Sequence, residues 1–372
     1  MAHLGGRSNL PGRTDAIIGL PRRQIRLQFR EEHVLPQLVL SVLISLGVSL
    51  ALAPACIRLA RRLGMVDLPD PMSYKIHTVA TPRAGGLAIL IAGLVAGLST
   101  GFVWQQPMRS IFLAGLIIFV FGALDDARGM NAGAKLLGQG LATAVLIQSG
   151  VVVQILHSPI PDLALTVFWV IGVTNAYNFI DSMDGEALGL AGLAAGFLML
   201  AMVSTGQHQP ALFVAAVIGA CGGLLYFNVT PARLFLGDSG SQLLGFWLAA
   251  LGIVFTPVPT VPQLSSWFVP ILIMIVPILD TTLVTWSRIR DRLPVYRGNR
   301  DHTYHRLIAR GLSPQRAVFV IQLASAMAGC LAIISLSLPP LWANSVFLAT
   351  LVFGLAIVIW LAQSRTPTAA QL

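Results

Sequence analysis

The chain has 372 residues, of which 55% are hydrophobic and only 10% charged, and its mean hydropathy is +0.77. A soluble domain carries about 25% charged residues, so a soluble globular protein is excluded and an integral membrane protein with many crossings is expected. The net charge of +9 then reads as the Lys/Arg excess of cytoplasmic loops and not as a nucleic-acid footprint. Cys56, Cys221 and Cys330 sit in apolar stretches and read as small core residues, neither a disulfide set nor a zinc site.

Residues 1–33 form a basic tail with Arg7, Arg13, Arg22, Arg23, Arg26 and Arg30. It lacks the apolar h-region of a cleavable signal peptide and is expected to be poorly ordered. Residues 34–364 read as one transmembrane domain, and 365–372 as a short C-terminal tail. The expected fold is all-α and polytopic, with ten or eleven membrane helices. Eleven apolar segments approach the length of about 20 residues that a crossing needs: 35–57, 86–104, 109–125, 136–154, 162–178, 187–205, 211–228, 239–257, 267–287, 315–336 and 341–362. Glycines within them (Gly93, Gly97, Gly192, Gly196, Gly219, Gly222) suit close helix packing in lipid.

If the spans alternate, the loops after the odd-numbered ones share a face. That face holds nearly every basic residue beyond the tail, from Arg58 to Arg365, and the other has Arg109 alone. The positive-inside rule makes the rich face cytoplasmic, in the plasma (inner) membrane of a cell. The basic tail falls on the wrong side of this scheme. Two readings stay open: an irregular first span with the tail on the cytoplasmic face, or a start codon further downstream.

Five polar segments fall on the rich face. The first is HTVATPRAGG, residues 77–86. The second, FGALDDARG, ends the third span with Asp125 and Asp126, and Lys135 follows where the fourth begins. Adjacent carboxylates raise one another's pKa, and a raised carboxylate can take a proton from a phosphate monoester; a solvated helix end is the plain alternative. The third, NAYNFIDSMDG, places Asn175, Asn178, Asp181 and Asp184 at i, i+3, i+6 and i+9, along one helical face or its fraying end. Amide and carboxylate oxygens are what Mg2+ takes, although a turn network around Gly185 would use the same residue types.

The fourth segment, RLFLGDSGS, sets Asp238 between Gly237 and Gly240 at the start of the eighth span, with Asn228 and Phe235 just before it. Glycine lets a ligand approach the backbone, and helix N-terminal amides favour phosphate; Asp238 by itself also fits an N-cap. The fifth is the basic loop 288–313, in which Arg300, His302, His305 and Arg306 cluster closely enough to clamp a diphosphate. A zinc site at His302 and His305 lacks an HExxH or cysteine partner. Carboxylates for a cation, amides and glycines for phosphate and bases for an anion together point to phosphoryl transfer from a soluble phosphorylated donor to a lipid acceptor. An ion-coupled transporter is the alternative from another class, with Asp280 as its only intramembrane acid; a scaffold without chemistry and a polyprenyl-diphosphate phosphatase are weaker ones.

On HTVATPRAGG, LDDARG with Lys135, NAYNFIDSMDG, LFLGDSGSQLLGF and RDHTYHRL, in that order, the chain resembles the polyprenyl-phosphate N-acetylhexosamine-1-phosphate transferases of glycosyltransferase family 4, from about residue 35 to 362. The resemblance implies an enzyme that moves an N-acetylhexosamine 1-phosphate, GlcNAc-1-phosphate first among them, from a UDP-sugar to undecaprenyl or another polyprenyl phosphate with release of UMP. It implies Mg2+ as cofactor, with Mn2+ as a substitute, and leaves a homodimer open. It links Asp125 and Asp126 to the lipid phosphate and its deprotonation. It sets Lys135 near the diphosphate and gives Asn178 and Asp238 to the metal, with Asp181 beside them. It puts Asp184, Asn228 and Phe235 around the uridine, and gives sugar and diphosphate recognition to the loop with His302 and His305. Ser182 and Glu186 depart from the Gly and Leu of many members. Tyr304 breaks the run of three histidines found in the MurNAc-pentapeptide branch, which favours a small N-acetylhexosamine donor.

Overall fold

The computed structural model describes residues 22–68, 80–255, 262–294 and 301–363, with the backbone alone for 22–33. Arg300, residues 77–79 of the first motif and the C-terminal tail lie outside the described residues. The described residues form a bundle of helices with almost no sheet. Helix α1 (Arg22–Leu63) begins within the stretch read as a tail, and is followed by β1 (Val66–Asp67) antiparallel to β2 (Thr81–Pro82). Then come α2 (Gly85–Thr100), a 3-10 turn at Phe102–Trp104, α3 (Met108–Arg128), α4 (Ala132–Gln148), α5 (Pro159–Phe179), α6 (Glu186–Ser204), α7 (His208–Asn228) and α8 (Asp238–Val254). The last part holds α9 (Gln263–Ser266), α10 (Val269–Ile273), α11 (Ile275–Arg290), α12 (Thr303–Ile308), α13 (Pro314–Ser335) and α14 (Pro340–Ala362).

Each of the eleven expected segments coincides with a helix or, for 267–287, with the broken stretch α9–α11. Among the described residues, seven helices are long and apolar enough to cross a membrane, and Gln263–Ile273 with Ile275–Arg290 form an eighth such unit bent by 63°. α2, α4 and α8 are shorter, at 16, 17 and 17 residues. The chain is a multi-pass membrane protein. The break at Met274 differs from the straight span expected there, and proline is its physical cause. Pro277 has no N–H to give the carbonyl of Ile273, so α10 cannot run on unbroken into α11.

α8 is the hub. It packs on α2, α3, α5, α6 and α7, and every residue from Ser239 to Ile253 is buried. A helix that is apolar all round has to be surrounded, and in LGFWLAALGIV the sequence meets that condition. The residues at its N-terminus, Asp238 onward, are therefore held by neighbours on all sides. Two glycines set how closely. A Cβ on Gly86 of α2 would fall 2.5 Å from the nitrogen of Gly240, and one on Gly122 of α3 would fall 2.5 Å from Cα of Ser239. Both contacts are with backbone, which has nowhere to go. Gly122→Ala is therefore expected to cost roughly 1–3 kcal/mol of stability, read as a lower apparent melting temperature of the purified protein; an unchanged value would show that α3 and α8 can separate freely.

Candidate active site

The first and fourth motifs are joined by backbone. Phe235 N donates to Pro82 O (2.8 Å), while Gly85 N and Gly86 N donate to the carbonyls of Phe235 and Leu236 (3.0 and 3.1 Å). These bonds lay the TPRAGG strip beside RLFLGD and bring Arg83 within electrostatic reach of Asp126 and Asp181. Arg83 also pairs with Asp67.

The second, third and fourth motifs meet through side chains at one end of the bundle. Lys135, near the start of α4, places Nζ 2.5 Å from Asp125 Oδ2 and 2.5 Å from Asp238 Oδ2. Asn178, in the last turn of α5, donates from Nδ2 to Asp238 Oδ1 at 2.6 Å and to Ser241 Oγ at 3.0 Å. Asp238 is thus the meeting point of α4, α5 and α8. It is not an N-cap: Gly237 holds that position, and Asp238 is the first residue of the helix.

Asp126 does something else. Its Oδ1 accepts from Asp238 N at 2.8 Å, and its Oδ2 accepts from Ser239 N at 3.0 Å and Ser239 Oγ at 2.7 Å. A carboxylate from α3 therefore caps the positive end of α8, where the helix dipole favours it. This corrects the expectation that the glycines and amides of GDSGS receive a phosphate, because Asp126 fills that position. Gly237 is required for the same reason. Its φ is +71°, and a Cβ there would fall 2.5 Å from Asp126 Oδ2.

α5 ends at Phe179, so Asp181 and Asp184 lie in the turn beyond it and not on a continuing helical face. Asn175 stays one turn inside, bonded to Gln139, which bonds in turn to Gln242, in a layer of amides beneath the site. Asp181 is partly accessible by area but surrounded by protein. Burial, then the charge of Asp126, push its carboxyl up to about 8, with Arg83 opposing and Asp184 adding. Asp184 accepts from Ala232 N at 3.0 Å. Asn228 is 2% exposed; it accepts from Gly185 N and donates to Leu234 O. Both side chains brace the 229–235 loop against the α5–α6 turn. Phe235, half-buried, lies beside Arg83 on the bridged strip.

The basic loop is built inward. His302 Nδ1 lies 2.8 Å from Asp280 Oδ2, and Thr303 N donates to Asp280 Oδ1 at 2.6 Å, so α12 is pinned to α11 by a carboxylate. With Nδ1 facing that carboxylate, the proton of a neutral His302 belongs on Nδ1. Asp280 is thereby a satisfied partner, and the transporter reading loses its one intramembrane acid. Arg288 makes a two-pronged pair with Asp301 at 2.8 and 3.0 Å. Arg306, 1% exposed, donates to Asp301 O, Leu361 O and Ser287 Oγ; burial holds its guanidinium below the ordinary value against the pull of Asp301. His305 Nε2 lies 2.5 Å from Tyr304 Oη, with the two rings 4.0 Å apart. Arg306 braces the fold here and forms no open clamp, because its N–H groups face carbonyls and a hydroxyl of the protein itself, and His305 turns Nε2 to the hydroxyl of Tyr304.

Sequence reasoning passed over Asp280 and Asp301 as partners of His302 and Arg288, and it passed over the Gln139–Asn175–Gln242 layer. The available signal was polarity inside apolar spans, which needs a partner somewhere; the partner's position was not readable.

The model of glycosyl transferase family 4 matches residues 108–256. A probable undecaprenyl-phosphate N-acetylglucosaminyl 1-phosphate transferase from Bacillus subtilis is 34% identical over 297 residues, covering 77% of this chain and 82% of its own length. A decaprenyl-phosphate N-acetylglucosaminephosphotransferase from Mycobacterium tuberculosis is 32% identical over 305 residues, 71% of this chain and 74% of its own. A phospho-N-acetylmuramoyl-pentapeptide-transferase from Lactiplantibacillus plantarum is 32% identical over 231 residues, covering 55% of this chain and 71% of its own. Identity of 34% kept up across most of both chains makes this chain a member of glycosyl transferase family 4.

Proposed function

We propose that the protein transfers N-acetylglucosamine 1-phosphate from UDP-GlcNAc to a polyprenyl phosphate, undecaprenyl phosphate in the first instance, and releases UMP on the cytoplasmic face of the plasma membrane. The observation that carries this reading is the Lys135 ammonium held between the carboxylates of Asp125 and Asp238, with Asn178 on the same Asp238. Two carboxylates to one ammonium leave the cluster net negative, so it suits a diphosphate and a phosphate monoester brought together at the end of a membrane bundle when a divalent cation joins carboxylate and phosphate oxygens. The names of the relatives from Bacillus subtilis and Mycobacterium tuberculosis support the acceptor and the sugar.

In the reaction, an oxygen of the acceptor phosphate forms a bond to the sugar-linked phosphorus. The bond from that phosphorus to the bridging oxygen breaks, and UMP leaves with the electron pair. Asp125 takes any proton left on the acceptor, since Asp126 is committed to the α8 amides. Lys135 offsets charge on the diphosphate.

Asp238, Asn178 and Asp181 would hold Mg2+ or Mn2+. The donor set fits by its chemistry: its side chains offer hard oxygens, Asn178 and Asp238 are in contact at 2.6 Å, and Lys135 shows that positive charge sits against Asp238. Among the described residues no three Asp, Glu, His or Cys side chains form a ready cage; Mg2+ keeps waters and takes substrate phosphate oxygens to complete its shell. When bound, the ion neutralises charge on the transferred phosphate.

The test is purified protein with Mg2+, undecaprenyl phosphate and UDP-GlcNAc, read for the nucleotide released. UMP that appears only with the lipid is the expected result. UDP would mean that the sugar moves without its phosphate and would overturn the reading. UMP without lipid would make the protein a hydrolase.

A further inference from the structure

The cluster of Lys135, Asn178 and Asp238 has a second cluster beneath it, one helical turn deeper. Gln139 follows Lys135 by four residues on α4, Asn175 precedes Asn178 by three on α5, and Gln242 follows Asp238 by four on α8. At these spacings the members of each pair share a face of their helix. The upper residues meet on Asp238, which Lys135 Nζ approaches at 2.5 Å and Asn178 Nδ2 at 2.6 Å. The lower ones meet on Gln139. Its Nε2 donates to Gln242 Oε1 at 3.0 Å and to Asn175 Oδ1 at 3.2 Å, and Asn175 Nδ2 returns a bond to Gln139 Oε1 at 2.8 Å. Gln139 and Gln242 are both buried, and Asn175 is half-buried.

Packing by itself leaves the reach of Lys135 loosely set. α4 packs on α3 and α5, and it is not among the helices packed closely on α8. Its first turn is exposed or half-buried; Gly138 and Gln139 are its first buried residues, and Gly138 lies against Phe121 of α3. Among the described residues, the side-chain bonds from α4 to α8 are those of Lys135 to Asp238 and Gln139 to Gln242. Stability does not explain the lower layer. Interhelical amide bonds in a membrane contribute little, and apolar side chains of similar shape at all three positions would leave no orphaned group. Amides differ from leucines in that donor has to meet acceptor, so they admit one register and rotation of α4 against α5 and α8.

We propose that Gln139 is a positioning residue: through Gln242 and Asn175 it fixes the depth and rotation of α4, so that Lys135 reaches Asp238 beside Asn178. It touches no substrate. This rests on the proposed function, because the residues it aligns are those given to the diphosphate and the cation.

The experiment compares the unaltered chain with one carrying Gln139→Leu, Asn175→Leu and Gln242→Leu together. Three quantities are read: the apparent melting temperature, the calorimetric affinity for UDP-GlcNAc, and the kcat and KM of lipid-dependent UMP release well below the melting temperature. The leucine layer is expected to melt at the same temperature or higher and to bind UDP-GlcNAc within about threefold of normal, with an unchanged KM. Its kcat should fall about a hundredfold, as for reacting groups displaced by about 1 Å. Leu146→Ala, a cavity in the buried face of the same helix, should do the reverse, with a lower melting temperature and kcat kept. A leucine layer with kcat within threefold of normal would overturn the assignment and leave the function standing. So would a kcat that falls only in step with the melting temperature, which would make the layer structural. Should the triple variant not fold, Gln242→Leu alone cuts the bond from Gln139 to α8 and should lower kcat about tenfold; an unchanged kcat there would also overturn the assignment. An unaltered chain that releases no UMP with lipid would remove the proposed function and this assignment together.

Discussion

Asp238→Asn is expected to abolish transfer, by on the order of a thousandfold or more in kcat, while the protein folds, inserts and purifies as before. Few single changes separate chemistry from stability so cleanly here. The Asp238 side chain does not cap α8 and is 25% exposed. Half-exposed ion pairs contribute only about 0–1 kcal/mol, and Lys135 keeps its second partner, Asp125. The bond from Asn178 Nδ2 can persist to the amide oxygen of an asparagine.

What disappears is the anionic oxygen at the point where α4, α5 and α8 converge, and with it the place at which a cation and a diphosphate are brought together. Lipid-dependent UMP release and the apparent melting temperature, measured on one preparation, decide the matter. A variant that keeps a tenth or more of the activity would remove Asp238 from the centre of the mechanism. A large fall in melting temperature would show that the residue is structural after all.

The gathering of Asp125, Lys135, Asn178 and Asp238 was foreshadowed by polar motifs that recur after every second apolar segment. Such segments must be helices, since lipid offers their backbone no other partner, and alternation sends the motifs to one end. The helices themselves were legible for the same reason. What each side chain faces depends on helix rotation and on neighbours distant in sequence, and neither is written locally. Asp125 and Asp126 look alike in LDDARG, yet about 100° of rotation separates adjacent positions, so one turns to Lys135 and the other to the amides of α8. Arg306 and His305 read as part of a diphosphate clamp. Arg306 points inward instead, because α14 ends over it with open carbonyls, one of them that of Leu361, which Arg306 satisfies, and His305 turns to the hydroxyl of Tyr304. The break at Met274 escaped notice because Pro277 lies in a stretch whose apolar character is unbroken.

That rotation also predicts different outcomes for the two neighbouring acids. Asp125→Asn should leave a folded protein that binds UDP-GlcNAc but transfers at least a hundredfold more slowly. The carboxylate lost is the one beside Lys135, and Met130 N, which donates to Asp125 Oδ1 at 2.5 Å, can donate equally to an amide oxygen. Asp126→Asn should fail earlier. Both oxygens of Asp126 accept from the start of α8, three bonds in all. An asparagine offers one acceptor and turns an NH2 towards backbone N–H groups that need acceptors of their own. The negative charge that complements the α8 dipole is lost as well. The expected cost is roughly 2–4 kcal/mol, seen as a lower melting temperature, and the displaced α8 terminus should carry Asp238 away from Lys135, so that donor binding fails along with transfer. Calorimetry with UDP-GlcNAc on both variants distinguishes the two. If Asp126→Asn binds donor normally at an unchanged melting temperature, Asp126 acts on the acceptor and the cap is incidental; if Asp125→Asn also loses donor binding, the proton-accepting role given to Asp125 is wrong.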